Sequence, residues 1–291
     1  LRFLAVHDSD PFVRWDSGQQ YAMALILDLV AQHRAGSPLG FDEALAEAVR
    51  GTLAGADADP AFAAEALPLP GEGVVADQMP VADPEAIHHV RRHLRAEIGR
   101  RCAATLRATY DALVEPPGAP YRADGESIGR RALRNACLGY LAAAGEEGVR
   151  LAAAQYGAAA NMTDRLAALA LLADTEDPAR DAALADFHAR WRGDDLVLDK
   201  WFSIQAMASR PDTLAQVRRL YAHPDFDLRN PNRGRSLIGA FAAGNPRWFH
   251  DASGEGYRFL ADAVMAIDPI NGATAARLVG PLGLWRRQAP E

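Results

Sequence analysis

Apolar residues recur at steps of three and four along nearly the whole chain, and this spacing limits the fold more than any other sequence feature. It places apolar side chains on one face of an α-helix, whereas a half-buried strand shows strict alternation of apolar and polar residues. Alternation over five or more residues is almost absent. The spacing therefore predicts a protein that is nearly all α.

Capping residues, prolines and glycines indicate where the first helices begin and end. Asp10 is a predicted N-cap, and Pro11 is the first residue of a long helix that runs to His33 and stops before Gly36. A second helix is predicted over 41–54. Two helices therefore precede the first break in the pattern.

The break is the segment Leu67–Gly73, in which two prolines and two glycines predict an ordered connector without regular structure. After it, Pro84 begins the longest predicted helix, which extends to Leu113. The remaining predicted helices are shorter and cover 126–143, 146–158, 163–173, 178–191, 196–207, 213–223, 232–243, 257–267 and 274–282.

Short connections between successive helices predict how they pack. Linkers of two to eight residues favour antiparallel neighbours stacked in chain order, as in armadillo, HEAT or tetratricopeptide layers. No fixed sequence period is found, so the expected fold is an irregular all-α superhelix that forms a single domain over residues 1–291. Leu284–Arg287 carries apolar side chains where a solenoid normally has a polar cap, and we expect the chain to be cut short there.

The overall charge argues against two classes of partner. The formal net charge is −7 and the pI is near 5.6, whereas binding to nucleic acid or anionic lipid favours a broad electropositive face. Apolar residues make up 49% of the chain and charged residues 24%, which is typical of a folded globular protein. We therefore expect neither nucleic acid nor membrane among the partners.

The sequence also predicts a cytoplasmic location. No apolar run reaches the roughly 20 residues of a membrane-spanning helix, and Asp8, Asp10 and Arg14 interrupt any signal-peptide core. Cys102 and Cys137 lie in neither a Cys-x-x-Cys nor a metal-ligand spacing. Both are expected to be reduced core residues, because free cysteine behaves as a small buried hydrophobe.

His88, His89 and His93 form the one histidine cluster in the sequence. His89 and His93 have the i, i+4 spacing that places two imidazoles on one helix face. A zinc peptidase helix needs His-Glu-x-x-His, in which the glutamate activates the zinc-bound water, but Val90 stands at the second position here. We predict an ordinary surface helix and no metal ligands.

Other catalytic motifs are also missing from the sequence. It contains no Gly-x-Ser-x-Gly elbow, no Walker loop and no dinucleotide-binding fingerprint. Neither serine hydrolysis nor binding of a nucleotide phosphate is therefore indicated. We expect no enzymatic activity from this chain alone.

The segment from Arg229 to Phe241 is the most unusual in the chain. Asn232 is a predicted helix cap, and Arg233 and Arg235 follow near the start of that helix. The positive end of a helix dipole favours anions, so these two cations need a carboxylate nearby. Two explanations stay open: internal Asp or Glu side chains supply the carboxylate, or one arginine faces a cavity and attracts the carboxylate of a bound molecule.

Several segments together resemble aminopeptidase N of Gram-negative bacteria, a zinc metallopeptidase of the gluzincin type. The resemblance covers essentially the whole chain, and the segments match in order and spacing. They are Phe12–Asp16, Leu133–Leu138, Asn161–Asp164, Asp199–Phe202 and Arg229–Arg233, extended by Asn245-Pro246, Phe249-His250 and Gly256-Tyr257.

The resemblance implies that this chain is the C-terminal helical domain, which closes over a separate catalytic domain of the same polypeptide. In that family the catalytic domain carries Gly-x-Met-Glu-Asn and His-Glu-x-x-His, and it binds zinc and removes N-terminal residues from peptides. Neither motif occurs here, so no zinc ligand or catalytic group transfers to this sequence. The implied role is to shape the substrate chamber and to limit access to it.

Two chamber-lining arginines of the family match Arg235 and Arg277. The resemblance implies that they either meet the carboxylate of peptide substrates or restrict access to the chamber. Asn230, Asn232 and Arg233 belong to the same motif and are assigned to the same chamber. Gly234 departs from the family, in which a bulky aliphatic residue is usual, and this leaves the direction of Arg235 open. A glycine inside a helix costs up to about 1 kcal/mol of stability.

Two alternative functions differ in class from a chamber-shaping domain. One is a free-standing helical-repeat scaffold that binds protein partners on its concave face. An upstream segment containing His-Glu-x-x-His in the same gene would exclude it. The other is a helical repeat that binds nucleic acid. The negative net charge of the chain argues against this function.

Overall fold

The computed structural model describes residues 1–116 and 118–288, and it confirms the prediction of an all-α fold. Among these residues no β-strand is present, and Ala82 and Gln288 form an isolated bridge. The helices are α1 Arg2–His7, α2 Pro11–Arg34, α3 Glu43–Ala54, α4 Pro60–Ala66, α5 Glu72–Asp77, α6 Pro84–Arg101, α7 Ala103–Ala112, α8 Gly125–Ala144, α9 Glu146–Ala158, α10 Met162–Ala173, α11 Ala179–Trp191, α12 Asp195–Ala206, α13 Thr213–Tyr221, α14 Pro231–Gly234, α15 Ala240–Gly244, α16 Pro246–Phe249, α17 Glu255–Ile267 and α18 Gly272–Leu278.

The helix starts follow the predicted capping chemistry. The Asp10 carboxylate accepts hydrogen bonds from the backbone N–H groups of Phe12 and Val13, and α2 ends before Gly36, whose φ of 74° places it in the left-handed region. Asp42 caps α3 by accepting from the Ala44 N–H. These contacts satisfy N–H groups that have no partner inside the helix.

The chain forms two compact units. The first contains Leu1–Val75 and Ala86–Leu171, and α8 lies at its centre, packed against α4, α7 and α9. Gly129 lets α8 approach α4 closely, because a Cβ there would lie 2.9 Å from the backbone nitrogen of Ala61. Small residues at such crossings bring backbones together and bury the apolar faces.

A buried polar network crosses the same unit. The Asp164 carboxylate accepts from the Arg134 guanidinium at 3.0 Å and from the Asn135 amide at 2.9 Å. Gln155 donates to the Asn135 side chain at 2.7 Å and to the Asp164 carbonyl oxygen at 2.9 Å. Each of these hydrogen bonds joins a donor to an acceptor on another part of the chain, so the network connects α8 and α9 to the start of α10.

The second unit contains Ala76–Glu85 and the residues from Leu172 onward. In this unit α12 packs against α11, α13 and α15. Its core contains fully buried aromatic side chains, namely Phe187, Phe202, Phe241 and Phe249. Rings of this size contribute most of the apolar area that such a core removes from water.

The prediction of one helix over 84–113 is wrong. Cys102 has φ −106° and ψ 10°, outside helical geometry, and separates α6 from α7. Its buried thiol lies 3.6 Å from the Ala46 carbonyl oxygen on α3. Ile98, Cys102 and Leu106 are all buried, so the apolar spacing continues across the break and conceals it.

The helix predicted over 232–243 is confirmed as a continuous helical run from Pro231 to Gly244, but it contains a turn that was not predicted. Residues Arg235–Gly239 form a π-helical turn between α14 and α15. π turns are rare and occur mostly as single-turn insertions within α-helices, frequently at functional sites. This turn changes the direction in which the side chains of the Arg229–Arg233 motif and the following residues project.

Several short elements were not predicted. They are α1, α4, α5, α16 and a 3₁₀ helix over Gly280–Arg287. The helix predicted over 274–282 ends at Leu278, and α5 begins inside the predicted connector at Glu72. Each has eight residues or fewer and shows too little periodicity to be recognised from sequence.

Two further predictions concern burial and the membrane. Cys102 and Cys137 are buried free thiols, as expected. Within the described part of the chain, no helix combines the length and the apolar character needed to cross a bilayer.

Candidate functional site

The Arg229–Arg233 motif begins with a helix cap, but Asn230 provides it rather than Asn232. The Asn230 side-chain oxygen accepts from the N–H of Asn232 at 3.0 Å and of Arg233 at 3.4 Å. Pro231 occupies the first helical position, where its missing N–H costs nothing. The cap therefore fixes where α14 begins and leaves the Asn232 side chain free for another contact.

Arg233 is an internal structural residue. Its side chain is 4% exposed, and its Nε donates to the Asp199 carboxylate at 2.5 Å while Nη2 donates to Asp195 at 3.1 Å. Nη1 donates to the Asp225 carbonyl oxygen, and the guanidinium lies 5.1 Å from the centre of the Phe202 ring. For Arg233, the carboxylates that neutralise the cation near the helix start are therefore those of Asp195 and Asp199.

Arg235 has a different environment. It is exposed, and its Nη2 donates to the side-chain oxygen of Asn232. Among the described residues no carboxylate pairs with it. Its neighbour Gly234 has helical backbone angles, and a Cβ at Gly234 would meet no heavy atom within 4 Å.

Arg277 lies near the end of α18, is exposed, and has no ion pair within the described residues. The helix α18 contacts the π turn that carries Arg235. Gly239 lies at that contact, because a Cβ there would lie 3.5 Å from Leu278 and 3.8 Å from the Arg235 Cβ. The two predicted chamber arginines therefore lie on elements that pack together.

Nearby exposed arginines are paired. Arg229 donates to the Asp227 carboxylate at 3.1 Å, and this contact holds the pKa of Asp227 below its usual range. Arg218 pairs with Glu255 at 2.5 Å. In contrast to these neighbours, Arg235 and Arg277 form no ion pair with a carboxylate of residues 1–116 or 118–288.

The predicted histidine cluster does not converge on one point. His88 contacts the Glu72 carboxylate at 2.8 Å, and His93 contacts the Gly40 carbonyl oxygen at 2.9 Å. His89 stacks on His33 with ring centres 4.6 Å apart. Each of the three rings therefore makes a separate contact.

Another group of possible metal ligands was missed by sequence reasoning. His188, His223 and Asp225 each offer a donor atom, and these atoms lie within 4.8 Å of one another. His188 lies on α11, 35 positions before His223 in the sequence. No spacing rule connects residues so far apart, so their proximity became visible only in the fold.

A family model described as "Domain of unknown function (DUF3458_C) ARM repeats" matches residues 1–291. The chain belongs to this family. Its helical layers agree with the predicted armadillo-like stacking.

Curated relatives agree with the resemblance. Aminopeptidase N of Caulobacter vibrioides is 42% identical over 98% of this chain, and aminopeptidase N of Escherichia coli is 40% identical over 97%. The chain spans 32% of the length of each. It therefore corresponds to the C-terminal helical domain of aminopeptidase N homologues, as the segment matches indicated.

A solved structure supports the same assignment of fold. The crystal structure of Legionella pneumophila aminopeptidase A in complex with aspartic acid superposes with a TM-score of 0.87 at 27% identity. The match covers 99% of this chain and 34% of that protein. The helical packing described above is thus shared by relatives about three times as long.

The residues of this chain do not fit the zinc site of the aminopeptidase N family. No histidine of the chain is followed by glutamate, so the His-Glu-x-x-His pair and its general base are missing from the sequence. We therefore assign no step of peptide hydrolysis to the side chains described here.

Proposed function

We propose that this chain is the non-catalytic C-terminal domain of a zinc aminopeptidase and that Arg235 and Arg277 bind the C-terminal carboxylate of peptide substrates. The observation that carries the proposal is the pair of exposed guanidinium groups on two packed elements, and neither guanidinium forms an ion pair among the described residues. The catalytic zinc and its ligands belong to another part of the same polypeptide. This domain contributes to the substrate chamber and restricts which peptides enter.

The charge arrangement supports the choice of these two arginines. Arg233 is fully occupied by internal carboxylates, so it cannot approach a ligand without exposing Asp199. Asn232 accepts from the Arg235 guanidinium and limits the directions in which it points. We infer that Asn230, Asn232 and Arg233 position the motif, while Arg235 and Arg277 meet the substrate.

A guanidinium that pairs with no carboxylate of its own chain is well suited to bind a peptide carboxylate. It presents several N–H donors in one plane, and hydrogen bonds between charged groups are stronger than neutral ones. A carboxylate at the peptide C-terminus is far from the N-terminal bond that an aminopeptidase cleaves. The interaction would therefore favour binding of short peptides without taking part in bond cleavage.

The proposal is tested with the full-length protein encoded by the same gene. A tripeptide and its C-terminal amide differ in the carboxylate, so their KM values report on the proposed contact. Arg235→Ala and Arg277→Ala are each expected to raise KM for the free-acid peptide by about tenfold, the effect of losing one charge-assisted hydrogen bond. KM for the amide and kcat for both substrates should change little.

Arg229→Ala is the matched control, because Arg229 is an exposed arginine of the same motif that pairs with Asp227. It should leave the KM ratio of acid to amide unchanged. Equal effects of Arg235→Ala on acid and amide would contradict the carboxylate role. An unchanged ratio in both arginine variants would also contradict it.

The cytoplasm is the proposed location, and the catalytic part of the polypeptide and peptide substrates are the proposed partners. Buried free thiols at Cys102 and Cys137 support a reducing compartment. The negative net charge of the chain supports the proposal that nucleic acid is not a partner.

A further inference from the structure

We propose that His188, His223 and Asp225 bind a divalent transition metal of the zinc type. Two imidazoles and one carboxylate are a common protein ligand set for such ions. The three donor atoms lie within 4.8 Å of one another. The site is separate from the proposed peptide contact and from any catalytic zinc in the rest of the polypeptide.

The distances are close to those of a coordinated ion. The Asp225 carboxylate oxygen lies 2.6 Å from His188 Nε2 and 3.8 Å from His223 Nδ1. Ligands of tetrahedral zinc at bond lengths near 2.0 Å are about 3.3 Å apart. The first distance must lengthen by about 0.7 Å and the second shorten by about 0.5 Å, which side-chain rotations provide.

The surrounding charges favour a dication. Arg233 is hydrogen-bonded to Asp195, to Asp199 and to the backbone of Asp225. With neutral imidazoles, the carboxylates of Asp195, Asp199 and Asp225 together with the Arg233 guanidinium carry a formal charge of −2. A divalent ion neutralises that charge.

The residues next to the ligands hold them in place. Arg233 donates to the Asp225 carbonyl oxygen and so fixes the backbone of the loop between α13 and α14. The Trp201 indole donates to the Leu184 carbonyl oxygen at 2.9 Å, and its ring lies 4.9 Å from that of His188 and 5.4 Å from that of His223. Supporting contacts of this kind orient metal ligands.

An ion can also reach the site and complete its coordination there. The side chains of His188, His223 and Asp225 are 22%, 27% and 35% exposed. Water is therefore available as the fourth ligand. His223 Nδ1 accepts the Asp225 N–H at 3.1 Å, and the ion would replace this one hydrogen bond.

Co²⁺ is a suitable probe, because its visible absorption reports tetrahedral coordination and it quenches a neighbouring indole. The 291-residue chain, treated first with chelator, is expected to bind one equivalent of Co²⁺ with quenching of Trp201 fluorescence. Zn²⁺ should displace the Co²⁺ and raise the thermal unfolding midpoint, since a ligand that binds only the folded state stabilises it. Trp201→Phe identifies the indole that is quenched.

His223→Ala and Asp225→Asn are each expected to weaken Co²⁺ binding by at least about tenfold and to abolish the rise in unfolding midpoint caused by Zn²⁺. Asp225→Asn keeps the shape of the side chain, so it tests the site even where an alanine variant fails to fold. His88→Ala, which removes a histidine paired with Glu72, should bind as the parent chain does. Absence of stoichiometric binding, or binding that survives both ligand variants, would overturn the proposal.

Discussion

Gly234 lies inside a continuous helical run from Pro231 to Gly244, where glycine is less favourable than any residue except proline. Its backbone angles are φ −58° and ψ −44°, which alanine adopts without strain. A Cβ there meets no heavy atom within 4 Å. Nothing in the packing of the described residues therefore requires glycine at this position.

Gly234→Ala is expected to raise the free energy of unfolding by about 0.5 to 1 kcal/mol, because alanine loses less backbone entropy in a helix. Urea unfolding followed by circular dichroism measures the change. Gly256→Ala is the matched substitution in α17, where the new Cβ would lie 2.3 Å from the Phe249 carbonyl oxygen. It should destabilise by about 1 to 3 kcal/mol. Destabilisation by Gly234→Ala would contradict the open space seen at that position.

At the scale of elements, the ion pairs of Arg233 connect α14 to α12. The Asp199 side chain is 14% exposed and that of Asp195 is 79% exposed. The burial of the Asp199 charge therefore depends on its pairing with Arg233. A charge left buried without its partner costs far more than the pair contributes, because its desolvation is no longer offset. The contact between these two helices should therefore be sensitive to the loss of the guanidinium.

Arg233→Met is expected to destabilise the chain by about 3 to 5 kcal/mol. Arg233→Met combined with Asp199→Leu should recover a large part of that loss, because the double variant leaves no buried charge unpaired and Asp195 is exposed to solvent. Arg229→Met is the control, since Arg229 and Asp227 are both largely exposed, and no measurable change is expected. Denaturant unfolding of the parent chain, Arg233→Met, Asp199→Leu and the double variant gives the coupling between Arg233 and Asp199. A double variant no more stable than Arg233→Met would contradict the pairing.

Periodicity and capping residues were sufficient to predict the longer helices. The apolar stripe and the Asp10 cap predicted α2 to within one residue at its end, because both signals are local in the sequence. The break at Cys102 was invisible, since the buried stripe continues through it. The π turn at Arg235–Gly239 was not predicted either, because it differs from an α-helix in its backbone hydrogen bonds and has no residue signature of its own.

The candidate sites show the same limit. The segment around Arg233 was recognisable because cations stand near a predicted helix start, and the sequence left open whether internal carboxylates satisfy them. The fold answers this for Arg233, whose partners lie 34 and 38 positions away. A similar separation in the sequence prevented the prediction that His188 lies close to His223 and Asp225. Contacts between distant positions depend on how helices pack, which the local pattern does not contain.

At the scale of the whole molecule, the chain corresponds to about a third of the length of its curated relatives. Its own sequence contains no His-Glu-x-x-His pair, and the proposed metal site consists of two histidines and one aspartate. We therefore expect the fragment to gain stability from zinc without catalysing peptide hydrolysis.

The purified 291-residue chain is expected to show no turnover of alanine- or arginine-linked chromogenic amides, even with excess zinc. The full-length protein from the same gene should hydrolyse both, and a chelator should stop the reaction. A thermal shift of the fragment by zinc, measured in the same samples, shows whether the His188 site is filled while activity is absent. Inactivity of the full-length protein would favour the scaffold alternative, because a domain that shapes a peptide chamber needs an active partner. Chelator-sensitive turnover by the fragment itself would contradict the proposed division, and its loss in Asp225→Asn would then place the chemistry at the metal site.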